Sequence, residues 1–183
     1  KPMLALYQMT SDDYFARFDP RAVLGGPVDL AFLDGMHKFD FLLRDFINTE
    51  RHCRPDSVIV LDDCLPCDPF ITAPDIHDKL REQSRFPRWW AGDVWKVVPV
   101  LKKYRPGLRI HVTDARNTGL VFVSGLDPAS TVLTDAYEEI MRDWETLMLA
   151  DYGFDRYVAE CAVTPVQSLM EGDGFRSLFP WAP

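Results

Sequence analysis

The sequence predicts an α/β fold, a mostly parallel sheet layered with helices and closed by an antiparallel strand toward the C terminus. Three observations predict it. Two near-continuous apolar runs, Val28–Leu33 and Ser57–Leu61, flank a segment of helical periodicity, and strands buried on both faces with a helical crossover form the βαβ unit of a parallel sheet. Two further β-like runs, Leu108–Thr113 and Leu120–Ser124, are separated by Asp114–Gly119, where Asn117 and Gly119 favour a tight reversal and an antiparallel pair. A chain of 183 residues with 47% hydrophobic and 13% aromatic content has the material for one sizeable core.

Taken in order, Leu4–Gln8 is a short apolar run without polar alternation, read as a buried strand. Thr10-Ser11-Asp12-Asp13 then offers a helix cap, with Ser11 a good N-cap, and the helix Asp12–Phe18 stops at Asp19-Pro20. Gly25-Gly26-Pro27 marks a loop before Val28–Leu33, which is closed by Asp34-Gly35. Between Lys38 and Cys53, residues Phe39, Leu42, Leu43, Phe46 and Ile47 recur at helical spacing, with Arg44, Asp45 and Glu50 on the polar side. Arg54-Pro55-Asp56 ends that helix and Ser57–Leu61 is the most β-like run of the chain.

The proline-punctuated middle, Cys64–Gly92, predicts one helix near Asp75–Ser84 and an irregular stretch holding Phe86, Trp89 and Trp90. A helix over Asp93–Lys103 is kinked or broken at Pro99. Beyond Asp127-Pro128, Thr134–Asp151 reads as one amphipathic packing or subunit-contact helix, and Tyr152–Pro183 continues in helical pieces. The organisation is therefore an α/β domain over residues 1–126 and a helical extension over residues 127–183 that packs on it.

Composition excludes several classes of function. With 28 acidic against 20 basic residues and a net charge of −8, no nucleic-acid groove is expected, since phosphate binding rests on clustered Lys and Arg. No apolar run reaches the ~18 residues of a membrane span, and the start lacks the apolar region of a secretory signal. An intracellular, cytoplasmic domain is expected, with no membrane partner. The four cysteines, Cys53, Cys64, Cys67 and Cys161, are too few for a disulfide scaffold. Cys64 and Cys67 do have the spacing of a redox dithiol, although Asp62 and Asp63 beside them push a thiol pKa upward, against thiolate activation. A zinc site from His52, Cys53, Cys64 and Cys67 lacks a second paired-ligand spacing.

Asp34 ends one predicted strand, and Asp62 and Asp63 end the next. In a parallel sheet these ends lie side by side, on the edge where open α/β folds bind ligands. Carboxylates converging there repel unless a cation is present, and hard oxygen donors favour Mg²⁺, Ca²⁺ or Mn²⁺. The alternative is that they cap helix N-termini. His37, three residues after Asp34, is either a general base, since imidazole titrates near ~6.5, or a helix-start residue. Trp89, Trp90 and Trp95 either line an acceptor pocket or form a core under a long loop.

The segment Val28–Pro66 reads Val-Asp-Leu-Ala-Phe-Leu-Asp-Gly-Met-His, a helix ending near Arg-Pro-Asp-Ser, then Val-Ile-Val-Leu-Asp-Asp. It resembles the second half of a class I S-adenosylmethionine-dependent methyltransferase, of the branch whose fourth strand ends in D-G-x-H and whose fifth ends in D-D. The resemblance extends over about Leu4 to Leu126 and implies a Rossmann-like sheet whose final strand is antiparallel. It identifies Leu4–Gln8 with the third strand, so that the first two strands and the glycine-rich cofactor loop are not found in this sequence. Val28–Leu33 is then expected to be covered, by upstream strands or by a second copy of the chain, because an apolar edge invites aggregation.

The resemblance also implies an activity: transfer of a methyl group from S-adenosylmethionine to a hydroxyl of a small molecule, of sugar or phenol type. Metal-dependent O-methyltransferases are similar, and by position Asp34, Asp62 and Asp63 would hold a divalent metal such as Mg²⁺. His37 and Asp34 would be catalytic, and Ser11, Asp34 and His37 would meet the cofactor. Two other readings stand beside this one. The chain is a non-catalytic methyltransferase-like domain serving as a binding or assembly module, or it is a thiol redox protein using Cys64 and Cys67.

Overall fold

A computed structural model describes residues 4–171, 173, 174, 176 and 179. The expected tail up to Pro183 lies partly outside these residues. The chain runs through α1 (Ser11–Arg17), α2 (Pro20–Leu24), β1 (Val28–Leu33), α3 (Phe39–Glu50) and β2 (Cys53–Asp62). It continues through α4 (Val97–Tyr104), β3 (Arg109–Thr113), β4 (Leu120–Ser124), α5 (Val132–Asp135), α6 (Tyr137–Trp144), α7 (Leu149–Tyr152), α8 (Phe154–Cys161) and α9 (Val166–Met170).

The fold is α/β, and the sheet order is β1-β2-β4-β3. β1 and β2 are parallel, as the crossover through α3 requires. β4 is antiparallel to both β2 and β3, so the expected hairpin forms and closes the sheet. Among the described residues the sheet is therefore mixed, with β1 and β2 parallel and the other strand pairings antiparallel. β2 begins earlier than expected, because Pro55 sits in an irregularity between the pairs Val28–Cys53 and Leu30–Val58, where no ladder donor is needed. Ser57 stitches that irregularity, donating its hydroxyl to the Val28 carbonyl at 2.6 Å and accepting from Arg54 N at 2.8 Å.

One face of the sheet carries the main core. Leu33, Leu61, Val121 and Val112 align across the strands and meet Phe39, Leu42, Leu43 and Phe46 of α3. Leu133, Ile140, Trp144, Leu149 and Tyr157 enter the same core, so the C-terminal helices pack directly on the sheet. Each fully buried aliphatic or aromatic side chain here contributes about 1.5–3 kcal/mol. On the opposite face Val58, Val60 and Phe122 lie under Phe179 and Leu169. That cover does not reach β1, where Leu30 and Phe32 are 49% and 56% exposed. Among the described residues the expected cover of β1 is thus not supplied.

Several expectations are corrected. Leu4–Gln8 is exposed and irregular rather than a strand, because no described strand lies beside it to take its backbone hydrogen bonds. The first helix ends before Asp19-Pro20 as expected, while Pro20 also opens an unforeseen α2 from an Asp19 cap, which Gly25, at φ +76°, ends. The region near Asp75–Ser84 holds only a short 3₁₀ turn, Lys79–Gln83. Pro99 falls in the first turn of α4, where a missing N–H is harmless, so no kink is required. The single helix expected over Thr134–Asp151 is broken into α5, α6 and α7. Asp45 and Glu50, assigned to the polar side of α3, are buried. Glu50 is there because Arg105 meets it in a two-pronged pair at 2.6 and 2.8 Å. No helix among the described residues is long and apolar enough to cross a membrane.

Candidate functional site

The carboxyl ends of β1 and β2 lie side by side and bring three sequence-selected residues together. Asp34 follows β1, Asp63 follows β2, and His37 precedes α3. His37 Nδ1 lies 3.0 Å from Asp63 Oδ2, and Nε2 lies 3.3 Å from Asp34 Oδ1. One ligating atom from each of the three falls within 4.8 Å of the others. Asp62 lines the same hollow, over an apolar floor of Leu33, Leu42 and Val94, with its Oδ1 accepting from Asp63 N at 2.8 Å.

Backbone turns aim these groups. Met36, His37 and Asp63 have φ of +53°, +49° and +59°, the left-handed region that non-glycine residues occupy at a cost. Thr118, from the loop between β3 and β4, donates its hydroxyl to Asp63 Oδ1. Burial raises the carboxyl pKa of both Asp62 and Asp63, and the neighbouring negative charge of Asp34 adds to it. Hydrogen bonds to the charged forms, from Asp63 N and from Thr118, oppose the rise. The cluster's carboxylate oxygens and imidazole nitrogens are of the donor types that divalent cations take.

A pocket of about 510 Å³ opens on the other side of Asp34. Met9, Phe15, Phe32 and Phe41 give it apolar walls, and Ser11, Asp34 and Asp45 supply polar groups. The helix cap falls on Thr10, which accepts from Asp13 N at 3.1 Å, so Ser11 is the first helical residue rather than the cap. Burial raises the pKa of the Asp45 carboxyl, and Ser11 opposes that rise. Asp45 Oδ1 has no hydrogen-bond partner among the described residues. A buried acceptor left open in this way calls for a donor.

The remaining candidates separate. Trp90 stacks on His37 with ring centroids 5.0 Å apart, whereas Trp89 stacks on Phe86 and Trp95 is buried in the core. Cys64 is buried, with its thiol pKa raised well above 9.0 by desolvation, and burial together with Asp68 pushes Cys67 up to about 11. Neither is the activated thiolate a redox dithiol needs. His52 pairs with Asp19 instead of joining the cysteines. Sequence reasoning missed Gly92, Asp93 and Thr118. A glycine-aspartate pair just before an apolar helix is a signal for the first two, while Thr118 was hidden inside a turn.

Over residues 1–64 the chain matches a family model described as a methyltransferase domain. The matched stretch ends two residues past Asp62 and contains Ser11, Asp34, His37, Asp62 and Asp63. No curated protein and no solved structure matches the chain. The match spans 64 of the 183 residues, and over that stretch the chain is similar to a methyltransferase domain.

Proposed function

We propose that the protein methylates a hydroxyl of a small molecule, a sugar or a phenol, with S-adenosylmethionine as donor and a divalent metal at the acidic cluster. One observation carries this reading: Asp34 forms a wall common to the 510 Å³ pocket and to the hollow of His37, Asp62 and Asp63. A donor in the pocket and an acceptor oxygen at the mouth of the hollow, which is too tight to admit a whole molecule, would lie in reach of one another, and positioning is most of what such a displacement needs.

The pocket suits the donor, because its apolar walls accept a flat ring and Ser11, Asp34 and Asp45 set polar groups into its lining. Ser11 and Asp34 would bind it alongside Asp45. Bound there, S-adenosylmethionine supplies an electrophilic methyl group on a sulfonium. The carboxylates of Asp34, Asp62 and Asp63 suit Mg²⁺, which lowers the pKa of a hydroxyl it touches. His37 takes the acceptor's proton on Nε2 as the new carbon–oxygen bond forms and the carbon–sulfur bond breaks. Asp63 steadies the imidazolium through Nδ1, 3.0 Å away.

The test is methyl transfer from labelled S-adenosylmethionine to a catechol and to a sugar, with wild type and His37→Gln. Removal of a general base should lower kcat about 100-fold or more. Undiminished turnover by His37→Gln would contradict the role given to His37.

A further inference from the structure

His37 is held in its pose by one segment more than fifty residues further along the chain. Its left-handed backbone follows that of Met36, two such non-glycine residues in succession. Trp90–Asp93 meets it at several points. The Trp90 indole lies 13° from parallel with the imidazole, and the Trp90 carbonyl is 3.0 Å from Nδ1. Asp93 N donates to the His37 carbonyl at 3.2 Å. Gly92 packs so tightly on that carbonyl that a Cβ at Gly92 would lie 1.8 Å from its oxygen.

The segment is itself anchored. Trp90 Nε1 donates to the Ala73 carbonyl at 2.7 Å, and Ala91 N and Gly92 N donate to the Ile71 carbonyl at 3.0 and 3.2 Å. Nδ1 of His37 therefore faces two oxygens, the Trp90 carbonyl and Asp63 Oδ2, each at 3.0 Å. A carbonyl and a carboxylate only accept, so the proton of a neutral ring belongs on Nδ1. Nε2 has one longer contact, to the more exposed Asp34 at 3.3 Å.

We propose that Trp90 is a positioning residue for His37, its indole and carbonyl turning Nδ1 inward so that Nε2 is the basic atom presented to the acceptor. The functional weight of this clamp rests on the reading of His37 as proton acceptor, but the ring geometry is measurable without any substrate.

The test is two-bond proton–nitrogen-15 correlation on histidine-labelled protein, at a pH where the imidazole is neutral. Wild-type His37 should carry its proton on Nδ1. Trp90→Ala should raise the Nε2–H share roughly 2- to 10-fold, the range a lost ring stack supplies. Trp90→Phe, which keeps a ring face, should restore the wild-type pattern. Thermal unfolding of each variant checks the fold. A wild-type ring protonated on Nε2 overturns the clamp with no variant needed, and so does a Trp90→Ala spectrum identical to wild type. Nδ1–H in wild type together with no methyl transfer to either acceptor keeps the clamp and overturns the functional reading instead.

Discussion

Asp93→Ala should be among the most damaging single changes near the site. Asp93 Oδ1 accepts from Phe39 N at 2.7 Å, capping α3 where Lys38 offers no side-chain cap. Its Oδ2 pairs with Lys96 Nζ at 2.7 Å, with side chains only 9% and 1% exposed. Lys96 otherwise has the Glu145 carbonyl at 2.8 Å and the face of Phe39. Truncation strands a buried ammonium, about 3–5 kcal/mol, and removes a cap, about 1 kcal/mol. For a domain of this size the melting temperature should fall on the order of 15 °C. Asp93→Ala combined with Lys96→Met removes the stranded charge and should recover about 3 kcal/mol of that loss. Urea unfolding of the two single variants and the double variant measures the coupling. A loss below about 1 kcal/mol for Asp93→Ala, or strict additivity in the double variant, would refute the reasoning.

Two further outcomes follow from the same structure. Asp62 and Asp63 have carboxyl pKa values raised above 3.8, so between 3.8 and the raised values the folded chain binds more protons than the unfolded one. Their contribution to stability therefore falls as pH rises through that window, and a bound cation offsets the fall. Mg²⁺ should raise the melting temperature at neutral pH and lose that effect as pH drops through the window; a pH-independent shift in scanning calorimetry would count against the site. Native Cys64 and Cys67 should resist an aromatic disulfide reagent at pH 8, with all four thiols reacting only after denaturation; rapid native reaction would revive the dithiol reading.

What the sequence disclosed followed from local rules. Val28–Leu33, the helix over Phe39–Glu50 and the β3–β4 hairpin were legible because period and turn chemistry act within a few residues. The meeting of Asp34 with Asp63 was legible too, since parallel strand ends are neighbours by topology. Leu4–Gln8 misled because an apolar run says nothing about whether a pairing strand lies beside it. Glu50 misled because its partner Arg105 comes from the end of α4, and no helical pattern on α3 reveals that. The cap on Phe39 likewise comes from Asp93, across the whole proline-rich middle. Such contacts are set by tertiary packing, and they decide how His37 is held.

The claim that Asp34 joins a donor pocket to an acidic metal cluster is tested most directly by calorimetry with S-adenosylhomocysteine and with Mg²⁺, on the full wild-type chain and on Asp34→Asn. The wild type should bind both, and Asp34→Asn should weaken both by about tenfold or more, which is ~1.4 kcal/mol. No binding of S-adenosylhomocysteine by the wild type, or binding of both ligands unchanged in Asp34→Asn, would contradict it.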